Sequence, residues 1–216
     1  SKQKSKAIPT APVLRLGAQE PLAQVSIDLA DMVVPSLSGA RYLFVATDTF
    51  SRHVWCKAIN RKSDALHALM CYEQEVGTPR EILTDWGTEF SGKFASHALN
   101  RRIRMIKSAP YSPFQNGIVE RSNSTLKSAI RAMLLECGGS DSWWARAAVT
   151  AADVHNRLVT QYTPTKSPYG LMWGVKPDLS HLRVFGSVCY PLVIPASKRK
   201  SQGMLKYPSS VGVFLG

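Results

Sequence analysis

Acidic residues are scarce in this chain. Its 216 residues hold 15 Asp and Glu against 27 Lys and Arg, a formal net charge of +12. An excess of that size points to a polyanionic partner. Cysteine is scarce too: Cys56, Cys71, Cys137 and Cys189 lie far apart and never form a Cys-x-x-Cys pair, which excludes a disulfide scaffold and a zinc ribbon. His53 and Cys56 are spaced like two metal ligands, but no second pair accompanies them, so no structural zinc is expected. No apolar run approaches the roughly 18 to 20 residues of a membrane span. The opening Ser1-Lys2-Gln3-Lys4-Ser5-Lys6 lacks the apolar stretch of a signal peptide. These absences argue against a secreted or membrane protein. Internal repeats and low-complexity tracts are also missing, and 44% hydrophobic residues exclude intrinsic disorder. Because the chain opens on Ser1 and stops within Val211-Gly212-Val213-Phe214-Leu215-Gly216, it reads as a piece of something longer.

Residues 1–20 combine Lys2, Lys4, Lys6 and Arg15 with Pro9 and Pro12, the composition of a basic extended linker. From there Val25, Ile27 and Leu29 alternate with Gln24, Ser26 and Asp28, the period of a strand. Residues 41–48 and 53–59 are two more strand-like runs, and the short Thr49-Phe50-Ser51-Arg52 between them predicts a hairpin. A helical pattern over 63–72 ends at Gly77-Thr78-Pro79. The short strand 81–85, a helix over about 94–101 and the alternating 103–106 follow. Hairpins first and helix-strand units after imply a mixed sheet with helices packed on its faces. Pro110-Tyr111-Ser112-Pro113-Phe114-Gln115-Asn116-Gly117 is rich in turn formers and predicts a mobile loop. In the long helix beyond it, Val119, Leu126, Ile130 and Met133 share an apolar side, with Glu120, Asn123, Ser124, Lys127 and Arg131 on the polar side. A further helix over 143–158 carries Trp144, Ala148, Ala151 and His155 at core spacing. The chain divides into a basic linker (1–20), a folded core (21–160) and a C-terminal extension (161–216).

Three carboxylates stand out, each placed by the pattern at an exposed edge of the predicted sheet: Asp28 in the first strand, Asp85 ending the fourth, Glu120 at the start of the long helix. Any one alone would read as a surface or capping group. Their flanks change that. Leu83-Thr84-Asp85-Trp86-Gly87-Thr88-Glu89-Phe90 and Ala109-Pro110-Tyr111-Ser112-Pro113-Phe114-Gln115-Asn116-Gly117-Ile118-Val119-Glu120-Arg121-Ser122-Asn123 resemble the integrase catalytic core of copia-type LTR retrotransposons. Asp28-Leu29, Asp48-Thr49-Phe50-Ser51-Arg52, Asn156-Arg157, Ser167-Pro168-Tyr169 and His181-Leu182-Arg183-Val184-Phe185-Gly186-Ser187 resemble further landmarks in the family's order. The resemblance implies an RNase H-like five-stranded sheet flanked by helices, with a C-terminal helical and β-hairpin extension. It also implies a catalytic triad of Asp28, Asp85 and Glu120. Between Asp85 and Glu120 lie 34 residues, one fewer than the family's usual spacing, a shortening expected in the turn near 100–102. Asp31-Met32 stands where the family often has Gly-Pro, and Trp86 stands where it usually has Asn.

The implied chemistry needs oxygen ligands. In-line displacement at a phosphodiester by water or a DNA 3′-hydroxyl is promoted by two Mg²⁺ ions roughly 3.5 to 4 Å apart, with Mn²⁺ as a substitute, and hard cations are held by carboxylates. A glycosidase also pairs carboxylates, but it has no use for the excess positive charge. Between residues 101 and 131, seven basic residues face a single acid, Glu120, so half of the chain's excess charge lies there. That density fits a phosphate-binding surface around the triad better than a solvated helix face. By resemblance, Asn123, Lys127 and Arg121 occupy positions that touch the element's terminal DNA. The expected activity is integration of retrotransposon DNA ends into target DNA, with double-stranded DNA and further copies of the chain as partners, no membrane and no small-molecule substrate, and with nuclear work after a cytoplasmic particle stage. An RNase H-like nuclease and a catalytically inactive DNA-binding scaffold are the alternatives.

Overall fold

The computed structural model describes residues 18–85, 87–107, 113–190 and 212–216; of Lys107 and residues 113–120 only the backbone is described. The expected basic linker lies almost wholly outside these residues. Strand β1 (Gln24–Asp31) is central, with β2 (Tyr42–Asp48) and β3 (Val54–Ile59) on one side and β4 (Glu81–Thr84) and β5 (Arg104–Lys107) on the other. The first three strands form the predicted antiparallel meander, and β4 and β5 join it in parallel. The result is a mixed five-stranded sheet in the order β3-β2-β1-β4-β5.

The β2–β3 hairpin explains the run from Asp48 to Arg52. Buried Asp48 accepts hydrogen bonds from the Leu22 N–H (2.8 Å), the Ser51 N–H (2.6 Å) and the Ser51 hydroxyl (2.7 Å). Three donors on one carboxylate fix the turn and tie it to the start of β1. Arg52 completes the turn with φ 65°, the left-handed region that few side chains enter.

Alternation along β1 and β2 sends side chains to two cores. Val25, Ile27, Phe44 and Ala46 face α1 (Ala65–Glu75) and α2 (Lys93–Asn100), where Leu69, Tyr72 and Phe94 are fully enclosed. Ala30, Leu43 and Val45 face α3 (Pro113–Cys137) and α4 (Trp144–Arg157), meeting Leu126, Ile130, Trp144 and Ala148. Burying each such large side chain contributes about 1.5–3 kcal/mol. Trp144 is core, as its spacing implied, and donates its indole N–H to the Val34 carbonyl at 2.9 Å.

Two expectations need correction. The backbone is already helical from Pro113, so residues 113–117 open α3 and do not form a loop; Pro supplies the fixed φ that suits a first helical turn. Residues 110–112 lie outside the described residues. Asn123, placed by periodicity on the polar side of α3, is 7% exposed and points at the sheet.

The segment after residue 160 packs on both cores. Helix α5 (Pro168–Trp173), capped by Ser167 Oγ accepting from the Gly170 N–H, buries Met172 in the first. Phe185 and Leu215 enter the second, beside the antiparallel pair β6 (Val188–Cys189) and β7 (Gly212–Val213). The chain's last run is therefore strand only over two residues.

Candidate active site

Parallel pairing of β1 with β4 aligns Ser26 with Leu83. Asp28 and Asp85 each follow this last aligned pair by two residues. Asp28 shares the parity of Ala30 and so leaves the sheet on the α3 face, where Asn123 meets it. Asp28 lies within β1 and Asp85 just past β4, both middle strands of the sheet, at the end where β4 finishes. Crevices at such strand ends are the usual ligand sites of open α/β sheets.

Half-buried Asp28 accepts from the Leu29 N–H through Oδ1 (2.8 Å) and from the Asn123 amide through Oδ2 (2.5 Å). Exposed Asp85 accepts from the Gly87 N–H at 3.0 Å. Neither forms an ion pair with Lys, Arg or His among the described residues. Among the described residues, Asn123 Oδ1 is buried without a hydrogen-bond partner. Glu120 lies on α3 three residues before Asn123, one turn nearer the N-terminus on the same side of the helix. Its side chain is outside the described residues. Among the described residues no three His, Cys, Asp or Glu side chains gather into a metal-holding group.

The predicted DNA-contacting residues diverge in setting. Exposed Lys127 lines a groove with Arg131, Asp31 and Val33. Arg121 lies on another flank of α3, its guanidinium 5.4 Å from the Tyr162 ring centre. Of the basic run from 101 to 131, Arg101 and Arg104 are engaged away from the site. Arg101 binds Glu73 and Thr78, and Arg104 pairs with Glu81. Glu81 stands four residues before Asp85 along β4, about 13 Å away at the rise of a strand. Those cations neutralise local acids at the far end of the sheet.

His53 and Cys56 do not act together. Burial first, then nearby His155 and Arg157, pushes the His53 imidazole down to about 4, and burial pushes the Cys56 thiol up to about 12. At neutral pH both are uncharged interior groups. Sequence reading passed over Tyr162, which stacks on Arg121; an isolated Tyr in a polar stretch gives no periodic signal.

The mixed five-stranded sheet flanked by helices defines an RNase H-like α/β fold. Residues 18–113 match the family model of the integrase core domain. The chain is 26% identical over 212 residues to the retrovirus-related Pol polyprotein from transposon RE1 of Arabidopsis thaliana, a match covering 93% of this chain and 14% of the polyprotein. To the corresponding polyprotein from transposon TNT 1-94 of Nicotiana tabacum it is 29% identical over 163 residues, covering 72% of the chain and 12% of the polyprotein. The chain thus spans about one-seventh of the length of the curated relatives it matches. Among solved structures, the HTLV-2 integrase catalytic core domain in complex with magnesium aligns with a TM-score of 0.59 at 22% identity. That alignment covers 71% of this chain and 98% of the other.

Proposed function

We propose that this chain is the catalytic core of a copia-type retrotransposon integrase and joins the element's DNA ends to target DNA. Asp28, Asp85 and Glu120 are its catalytic carboxylates. The observation that supports the reading is the parallel pairing of β1 with β4, which Asp28 and Asp85 each follow by two residues, together with the hydrogen bond by which Asn123 of α3 reaches Asp28.

The donor set fits a divalent cation. Two aspartates without a cationic partner among the described residues, and an amide oxygen that finds no hydrogen bond among them, are hard oxygen donors suited to Mg²⁺ or Mn²⁺. When bound, the metal ions supply charge stabilisation to the attacking and leaving oxygens of a phosphoryl transfer. Asp28, Asp85 and Glu120 would hold them. The remaining work falls to the chain's own residues: Asn123 fixes the Asp28 rotamer, the Gly87 N–H orients Asp85, and Lys127 on α3 holds a phosphate of the incoming strand. Magnesium in the HTLV-2 neighbour supports the same assignment, and its dimeric and trimeric forms support a multimer of this chain.

Asp85→Asn is the test. The substitution removes one of the carboxylates and leaves volume nearly unchanged, so strand joining should be abolished while the metal-free melting temperature stays equal or rises slightly. Mg²⁺ should raise the melting temperature of the parent by binding its native state, and do so much less in the variant. Full joining activity by Asp85→Asn refutes the assignment.

A further inference from the structure

A second concentration of like charge lies where the β2–β3 turn, α3, the end of α4 and residues 160–163 meet. Arg52, Arg121, Thr125, His155, Thr160 and Tyr162 line a small cleft there. Arg52 is locked in place. Its φ is 65°, its N–H donates to the Asp48 carbonyl at 3.0 Å, and its carbonyl accepts from His155 Nε2 at 3.3 Å. Arg121 is steered by the Tyr162 ring beneath it.

Neither arginine forms an ion pair among the described residues. Asp48, the nearest acid to Arg52, is occupied by Leu22 and Ser51. Burial first, and then the charge of Arg121, hold the Arg52 guanidinium below its ordinary value against a smaller opposing pull from Asp48, so the two cations repel one another across the cleft. Their repulsion costs stability in the free protein and is relieved by an anion between them. A tetrahedral oxyanion matches two guanidiniums with hydroxyls nearby.

We propose that Arg52 and Arg121 form an auxiliary phosphate site that grips one DNA backbone phosphodiester on the flank of α3 turned away from Asp28. Arg121 and Asn123 are two residues apart on the helix, about 200° around its axis, so this phosphate is remote from the one at the carboxylates. Arg121 is exposed and Tyr162 is 52% exposed, which leaves the cleft open to a polymer as well as to a free ion. The inference rests on the DNA-joining reading above and adds Arg52, a residue that reading does not use.

The test is the salt dependence of binding to a short fluorescein-labelled duplex, with thermal melting in inorganic phosphate as its companion. Arg52→Gln should lower the magnitude of the log-log salt slope by about 0.9, the share of one phosphate. Because both side chains hold the same phosphate, Arg52→Gln/Arg121→Gln should lose no more than the single variant. Without phosphate, the melting temperature of each single variant should equal or exceed the parent's; inorganic phosphate should raise it in the parent and in neither variant. Arg121→Gln, at an exposed helical position, repeats the slope measurement free of any disturbance of the turn. A double-variant loss of about 1.8 means separate phosphates and overturns the shared site. Phosphate protection with an unchanged slope overturns the DNA assignment in favour of a free-anion site. An unchanged slope in Arg52→Gln alongside a reduced one in Lys127→Ala overturns this inference alone, whereas no DNA binding by the parent overturns the integrase reading itself.

Discussion

Strand β3 is the edge of the sheet, and its first residue finds on α4 the partner that a neighbouring strand would have given. Asn156 accepts from the Val54 N–H at 2.8 Å and donates to the Val54 carbonyl at 2.7 Å. Asn156→Ala leaves both backbone groups buried and unpaired, a loss of about 2–4 kcal/mol, read as a lower denaturant midpoint with an unchanged m-value. Val54's neighbour His53 makes stability depend on pH. Its folded pKa, about 4, lies below the ordinary 6.5 because of burial and the charges around it, so between those values the unfolded chain binds a proton that the folded chain refuses. Stability is therefore full above about pH 6.5 and falls as pH drops towards 4, by up to about 3 kcal/mol. His155, also shifted down by burial, adds in the same direction. His53→Gln should flatten that limb of the stability profile, and an unchanged limb would assign it to other groups.

At the scale of elements, α3 connects sheet and site. Its apolar side was legible because Leu126 and Ile130 recur at helical period and both are buried. Its start was not legible: Gln115-Asn116-Gly117 reads as turn in isolation, and only packing of the longer helix on the sheet overrides that preference. Asn123 was misplaced for a related reason. Polar character predicts solvent, yet here the amide faces inward because Asp28 lies opposite. The five strands were legible from alternation. The dispersal of the basic run was not, since sequence adjacency hides that Arg101 and Arg104 serve α1 and β4. What remains on α3 as candidate phosphate ligands on the Asp28 side are Lys127 and Arg131, of which Lys127 lies nearer Asn123 along the helix. Lys127→Ala should lower the magnitude of the salt slope of DNA binding by about one. An unchanged slope would make that side chain part of an ordinary solvated helix face.

On the scale of the whole molecule, the positions proposed for catalysis all belong to one sheet and the helix across it, and the two cores that hold them include Met172, Phe185 and Leu215 from beyond residue 160. Single-site phosphoryl transfer needs only that assembly. Paired insertion needs more, because two active sites must be held at a fixed separation on target DNA, and a closed multimer sets such a separation through its interfaces. These 216 residues span about one-seventh of the polyproteins they resemble, so interfaces supplied by other segments of a longer protein would be missing when the chain is tested alone. The expected outcome is metal-dependent cutting and rejoining of a branched or nicked DNA, abolished by Asp85→Asn, with little or no concerted insertion of two ends. Gel resolution of single-end and two-end products on a circular target measures the difference. Efficient paired insertion would show that this chain alone sets the spacing of two sites, whereas inactivity with both Mg²⁺ and Mn²⁺ on every branched substrate would favour a DNA-binding scaffold over an enzyme.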